Sequence, residues 1–386
     1  MANSKQRVRN SAPSCLPYIT MKTRPLILLL VIGLLLPSAC SHRPYPTVLL
    51  TADTLCNTAP DSAVQLLKRL EPQMLQSSPD VRMYYHLLCT KAADKAYHPH
   101  NNDSLIQSVL QYYVKKNNHR HLPEAYYYAG RVCRDLGDAP QALDYFQKAI
   151  EVLPTEGEFD LKSRIYSQMG TLFYYQQMYD EAMKCIRKCH ELDILRKDSI
   201  GILYNLRDMA NIFRFTGKKD SALVYFQKAY EISSYIKKEN FNNMIQSQIA
   251  ALYTSIKQYD SAKIALDNAL QNIKHTNQSG IFTVAAKLYH NIGMTDSATY
   301  YYKQLLECGT IYAQEVAHRG LAEIAIKKND RQAIMRHLHS YLTLHDSIQK
   351  LNQNESLQKM ISLYNYQCAK KKITDWNTKT KRKVNK

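Results

Sequence analysis

The sequence predicts an all-α chain, a right-handed superhelical solenoid of about eight stacked helix–turn–helix repeats. Three observations carry this. No proline follows Pro154, so the rest of the 386-residue chain runs without the residue that most reliably stops a helix. The stretch Pro123–Glu156 reads as two amphipathic helices parted by Gly137. Its second-helix alanine, Ala142, then returns as Ala182, Ala222, Ala262, Ala298 and, in weaker form, Ala333, at spacings of 40, 40, 40, 36 and 35. A unit that cannot bury its apolar stripe alone buries it by stacking, which builds a continuous core and a concave inner face.

Within Pro123–Glu156, the first helix carries Tyr126, Ala129, Gly130 and Cys133 on one face, and the second presents Ala142, Phe146, Ala149 and Ile150. Gly130 and Ala142 let the two helices approach closely, and Phe146 fills the hollow between them. Gly137 suits a left-handed C-cap, and Pro154 follows the second helix. Downstream, Gly170, Ala210 and Ala250 answer Gly130, and Gly217 and Gly293 repeat the break at Gly137. Phe173, Phe213, Tyr253 and Tyr289 stand at the site of Cys133, while Phe226, Leu266 and Tyr302 repeat Phe146. An aspartate precedes the recurring alanine (Asp180, Asp220, Asp260, Asp296), where it is expected to cap the second helix and complement its dipole. Upstream, Asp61-Ser62-Ala63 and Asp103-Ser104-Leu105 complete about eight such starts.

This pattern resembles the tetratricopeptide repeat over about Ala52–Gln349, best in 123–305. Spacings near 40 exceed the common 34 and imply helices one to two turns longer than usual, or longer loops such as Tyr97–Asp103. The resemblance implies that exposed positions of each first helix line the concave face and bind a protein or an extended peptide. Carried over, those positions are Tyr127, Arg131 and Arg134, then Thr171 and Tyr174, then Arg207, Asn211 and Arg214. Arginine and asparagine would clamp a peptide backbone or carboxylate, with tyrosines as flat contacts. The alternative for any one of them is a solvated face with intrahelical pairs such as Arg131–Asp135.

The flanks differ in character. Residues 1–40 read as a signal segment: the apolar run Leu26–Leu36 follows basic residues and is far shorter than the ~20 residues a bilayer needs, and the true start is expected at Met21. Leu36-Pro37-Ser38-Ala39-Cys40 resembles a bacterial lipobox, apart from Pro37, and implies lipidation at Cys40. A tether over 41–51, the solenoid over 52–349, a C-terminal helix over 350–368 and a basic disordered tail over 369–386 complete the expected plan. The whole resembles tetratricopeptide lipoproteins of the Bacteroides type and the sensory half of regulators built on such arrays. That implies a lipid-anchored protein of the bacterial cell envelope, on the periplasmic side or outer membrane, in a chain that ends where a transmembrane helix would begin.

The net charge of +18 belongs mostly to the ends, +5 within residues 1–24 and +7 from Ala369 onward, leaving +6 for the body. It therefore says little about the repeat surface. A helical-repeat nucleic-acid binder needs a regular base-reading pair in every repeat; none recurs, and no nucleic-acid partner is expected. No HExxH, GxSxG or GxxxxGK[ST] pattern occurs, so neither an enzyme nor a cofactor is expected. The pairs His98/His100, His119/His121 and His337/His339 read as solvated rather than metal-bound, and Cys133, Cys185 and Cys189 as packing thiols.

Overall fold

A computed structural model describes residues 45–154, 156–271 and 278–351. The chain divides into two units after Leu50. The signal segment, Cys40, the C-terminal helix beyond residue 351 and the basic tail lie outside the described residues. No described helix is long and apolar enough to cross a membrane.

The described chain is all-helical. The helices are α1 (Thr47–Thr58), α2 (Pro60–Leu75), α3 (Pro79–Lys95), α4 (Ser104–Lys116), α5 (Leu122–Asp135), α6 (Ala139–Val152), α7 (Phe159–Tyr175) and α8 (Tyr179–Leu195). They continue as α9 (Ser199–Phe215), α10 (Lys219–Tyr235), α11 (Glu239–Ser255), α12 (Tyr259–Leu270), α13 (Gln278–Asn291), α14 (Thr295–Cys308) and α15 (Ile311–Lys327), with α16 over residues 331–351. From α3 onward each odd-numbered helix folds back on the even one that follows, giving seven pairs among the described residues. Helix formation begins at Thr47, inside the stretch expected as a tether.

The 40-residue spacing has a simple origin. Helices α7 to α11 are each 17 residues long, and three-residue turns join them. Left-handed residues consequently fall every twenty positions, at Tyr97, Asn117, Gly137, Gly157, Gln177, Lys197, Gly217, Lys237 and Lys257. All of these turns but the one at Gly157 close in the same way: the Asp138 N–H donates to Cys133 O (2.8 Å), Met178 to Phe173 O (2.9 Å) and Lys218 to Phe213 O (2.8 Å). This 6→1 bond satisfies the last carbonyls of the helix. Glycine marks only some of these caps. At Gln177, Lys197, Lys237 and Lys257 the bond holds a side-chain-bearing residue in the same conformation.

Packing follows the repeat. Ala142, Ala182, Ala222, Ala262 and Ala298 are fully buried, as are Phe146, Phe226 and Leu266. A Cβ on Gly130 would sit 2.5 Å from the Phe146 ring, and one on Gly170 would sit 2.9 Å from Ile186, so only glycine permits these crossings. A buried polar knot joins three helices: Asp193 accepts hydrogen bonds from Ser163 of α7, Asn205 of α9 (2.7 Å) and Arg196 (3.0 Å).

Two sequence expectations need correction. Asp180, Asp220, Asp260 and Asp296 lie within the first turns of their helices, while Met178, Lys218, Gln258 and Met294 occupy the caps without a side-chain bond. These aspartates therefore act on the helix dipole alone. True aspartate caps are Asp138, which accepts from the Gln141 N–H at 3.1 Å, Asp198, which accepts from Ile200 and Gly201, and Asp330, which accepts from Ala333 at 3.0 Å. Leu105 is exposed, and Ile106 takes the buried place expected for it.

Candidate functional site

First helices touch first helices: α3 meets α5, α11 meets α13, and α13 meets α15. They form the inner row on which the predicted binding residues lie.

At the α3–α7 end the inner row is internally paired. Lys91 bridges Asp53 (2.7 Å) and Glu124 (2.8 Å), and the Tyr84 hydroxyl donates to the same Asp53. Burial pulls the Lys91 ammonium down, but Glu124 and Asp53 outweigh it and raise its pKa. Arg131 reaches across to Asp94 of α3 at 2.6 Å and to Gln168 of α7 at 2.7 Å. Its side chain is 12% exposed. Arg134 pairs with Asp135 at 2.7 Å and shares the Gln168 Oε1. The intrahelical pair expected for Asp135 thus forms with Arg134, and Arg131 is taken by another helix.

Tyr127 is not on the exposed face. It is 4% exposed, edge-on to Tyr128 with centroids 5.0 Å apart and 5.9 Å from the Phe146 ring. Its remaining face is covered by the Arg164 guanidinium at 5.1 Å. The Tyr126–Tyr128 run places two rings in the core and leaves Tyr126 half-buried against Tyr145. Three consecutive tyrosines give no periodic signal to say which faces inward.

Between α7, α9 and α11 the row opens into a cleft of about 220 Å³ that brings together Thr171, Tyr174, Arg207 and Asn211. Asp208 and Gln248 complete its polar lining. The Thr171 hydroxyl donates to its own helix at Ser167 O (2.9 Å). Arg207 donates to Asp208 at 2.6 Å and lies over the rings of Tyr204 (4.9 Å) and Phe241 (5.7 Å). Burial nevertheless raises the Asp208 pKa, against the pull of Arg207.

Arg214 reaches this cleft's lining through Asn211. Its Nη2 donates to Asn211 Oδ1 at 3.2 Å, and its guanidinium lies 4.4 Å over Phe215. Its Nε is sealed from solvent without a hydrogen-bond partner, and so is Gln248 Oε1. Tyr174 meets Tyr179 and Phe215 edge-on. Sequence reasoning missed Asp208 and Gln248. The signal was present: Gln168, Asp208 and Gln248 stand 40 apart in one register.

A second cleft of about 490 Å³ lies between α11, α13 and α15, with Lys287, His290, Arg319 and Glu323 around it. Burial and the nearby Arg319 lower the Lys287 pKa. His290 faces Glu323 at 3.4 Å. The change of spacing from 40 to 36 hid these residues from the repeat register. Elsewhere, burial raises the thiol pKa of Cys133 to about 12, of Cys185 to about 11 and of Cys189 to about 12, which suits packing rather than chemistry.

Two family models described as tetratricopeptide repeat match the chain, over residues 123–156 and 161–234. The chain therefore carries tetratricopeptide repeats. Its fold is similar to that of the apo form of RapI (TM-score 0.65, 14% identity), over 85% of this chain and 98% of that one. It is also similar to a Rap protein complexed with competence and sporulation factor (TM-score 0.51, 13% identity, 85% and 98% coverage). A third likeness is to NprR in complex with its cognate peptide NprX (TM-score 0.50, 13% identity, 85% and 93% coverage). No curated protein matches the sequence.

Proposed function

We propose that this protein is a non-catalytic receptor or scaffold that holds a peptide, or a peptide-like segment of a partner protein, on its inner row between α7 and α11. One observation carries the reading: the cleft gathers the polar side chains of Arg207, Asn211 and Gln248 beside the rings of Tyr174 and Tyr175. A peptide bond offers the complementary acceptor and donor, and buried polar groups cost free energy until they are paired. The complexes of a Rap protein with competence and sporulation factor, and of NprR with its cognate peptide, are consistent with such use of a similar fold.

A photo-crosslinker at Tyr175, beside the cleft, is expected to capture the ligand in native membranes, with its sequence read by mass spectrometry. Arg207→Ala together with Arg214→Ala should weaken that capture. Equal capture by the double variant counts against the groove.

The same proposal places the protein at the bacterial cell envelope, anchored through lipidated Cys40, as the sensory part of a signalling regulator. Mass spectrometry of the native N-terminus tests this. A diacylated cysteine is expected, and an intact peptide spanning residues 1–40 in the mature protein removes the anchor without touching the groove.

A further inference from the structure

The peptide reading leaves one convergence unused. Asp94 lies in the last turn of α3, Asp135 ends α5, and His100 sits in the connection between α3 and α4. One ligand atom from each lies within 4.8 Å of the other two. Three separate segments thus bring two carboxylates and an imidazole to one point.

The groups are prepared for a ligand rather than for one another. Arg131 takes Oδ1 of Asp94 at 2.6 Å, and Arg134 takes Oδ1 of Asp135 at 2.7 Å, so both carboxylates are oriented. His100 Nε2 is sealed from solvent and has no hydrogen-bond partner. Hydrogen-bonded carboxylates are typical of ligands held by outer partners.

The chemistry selects the ion. One nitrogen and two carboxylate oxygens suit a borderline divalent metal of the zinc type, with ligand bonds of about 2.0–2.2 Å. Magnesium and calcium prefer an all-oxygen shell. Arg131 and Arg134 offset the charge of the two aspartates, so binding depends on direct coordination rather than on a surplus of negative charge. We propose that Asp94, His100 and Asp135 bind one divalent transition-metal ion and so tie the α3–α4 connection to the C-terminus of α5, beside the inner row.

Calorimetric titration of the full chain with Zn²⁺ tests this. The titration is best made in a His337→Ala background, because His318 Nδ1 lies 3.0 Å from His337 Nδ1 and offers a second pair of ligands. One site of micromolar affinity is expected, with no matching response to Mg²⁺. His100→Ala and Asp135→Asn should each weaken it by at least about tenfold. His98→Ala, in the same connection but facing Asp61 at 3.8 Å, should leave it intact. Circular dichroism checks that each variant keeps its helices. Zn²⁺ uptake no tighter than millimolar, or uptake that survives His100→Ala, overturns the site.

Discussion

Arg134 and Arg214 occupy the same position of the repeat, two units apart, and their neighbours differ. Arg134 is followed by Asp135, to which it donates at 2.7 Å, and it shares Gln168 with Arg131. Arg214 is followed by Phe215, over which it lies at 4.4 Å, and it donates only to Asn211. One arginine is internally spent. The other has a buried Nε without a hydrogen-bond partner. Register decides that an arginine lies on the inner row, and its neighbours decide which of its donors are already spent.

The largest effect we expect lies beneath both regions. Phe146→Ala removes a fully buried ring against Gly130 and should cost about 3–5 kcal/mol of stability in urea unfolding. A smaller loss would mean that the array repacks. At the paired end, Arg131→Ala leaves Asp94 buried without its cation and should cost roughly 3 kcal/mol while sparing ligand capture at α7–α11. A loss of capture with unchanged stability would erase the distinction between the two ends.

The paired end should also respond to acid. His121 is buried between the rings of Tyr84 and Tyr113, and burial, aided by Arg120, holds its pKa at about 4. The unfolded chain titrates near 6.5 and takes up the proton first. The stabilisation is therefore full above that pH and is lost as pH falls from about 6.5 to about 4, by about 2–3 kcal/mol. His121→Phe should flatten that part of the pH–stability curve; an unchanged slope would assign it to another group.

At the open end the effects on stability should be small. Arg207→Ala with Arg214→Ala should change stability by no more than about 0.5 kcal/mol per site, and yet weaken peptide capture. Phe215→Asp sharpens the comparison most directly, since it gives Arg214 the neighbour that Arg134 has. Capture should fall with both arginines still present. Full capture would show that availability is set by something other than the adjacent acid.

Much of the fold was legible because packing repeats. The alanine column, the Phe146 series and the close approach at Gly130 all follow from volume, and volume is written residue by residue. The caps at Gln177, Lys197, Lys237 and Lys257 were not legible, because nothing in a glutamine or lysine announces a left-handed backbone held by a 6→1 bond. In the candidate site, periodicity placed Thr171, Tyr174, Arg207 and Asn211 on one row, and they share a cleft. It misplaced Tyr127, whose neighbours on both sides are tyrosines too.

The sequence by itself determined a helical array, its period and the face on which each repeat presents its polar side chains. These depend on local propensity and on apolar spacing, which survive without coordinates. Only the tertiary structure decided which of those side chains are free. The Arg131–Asp94 pair joins residues 37 apart, and it exists because α3 and α5 bring a guanidinium and a carboxylate to 2.6 Å out of water. Ion pairing changes over ångströms, whereas periodicity fixes only the row.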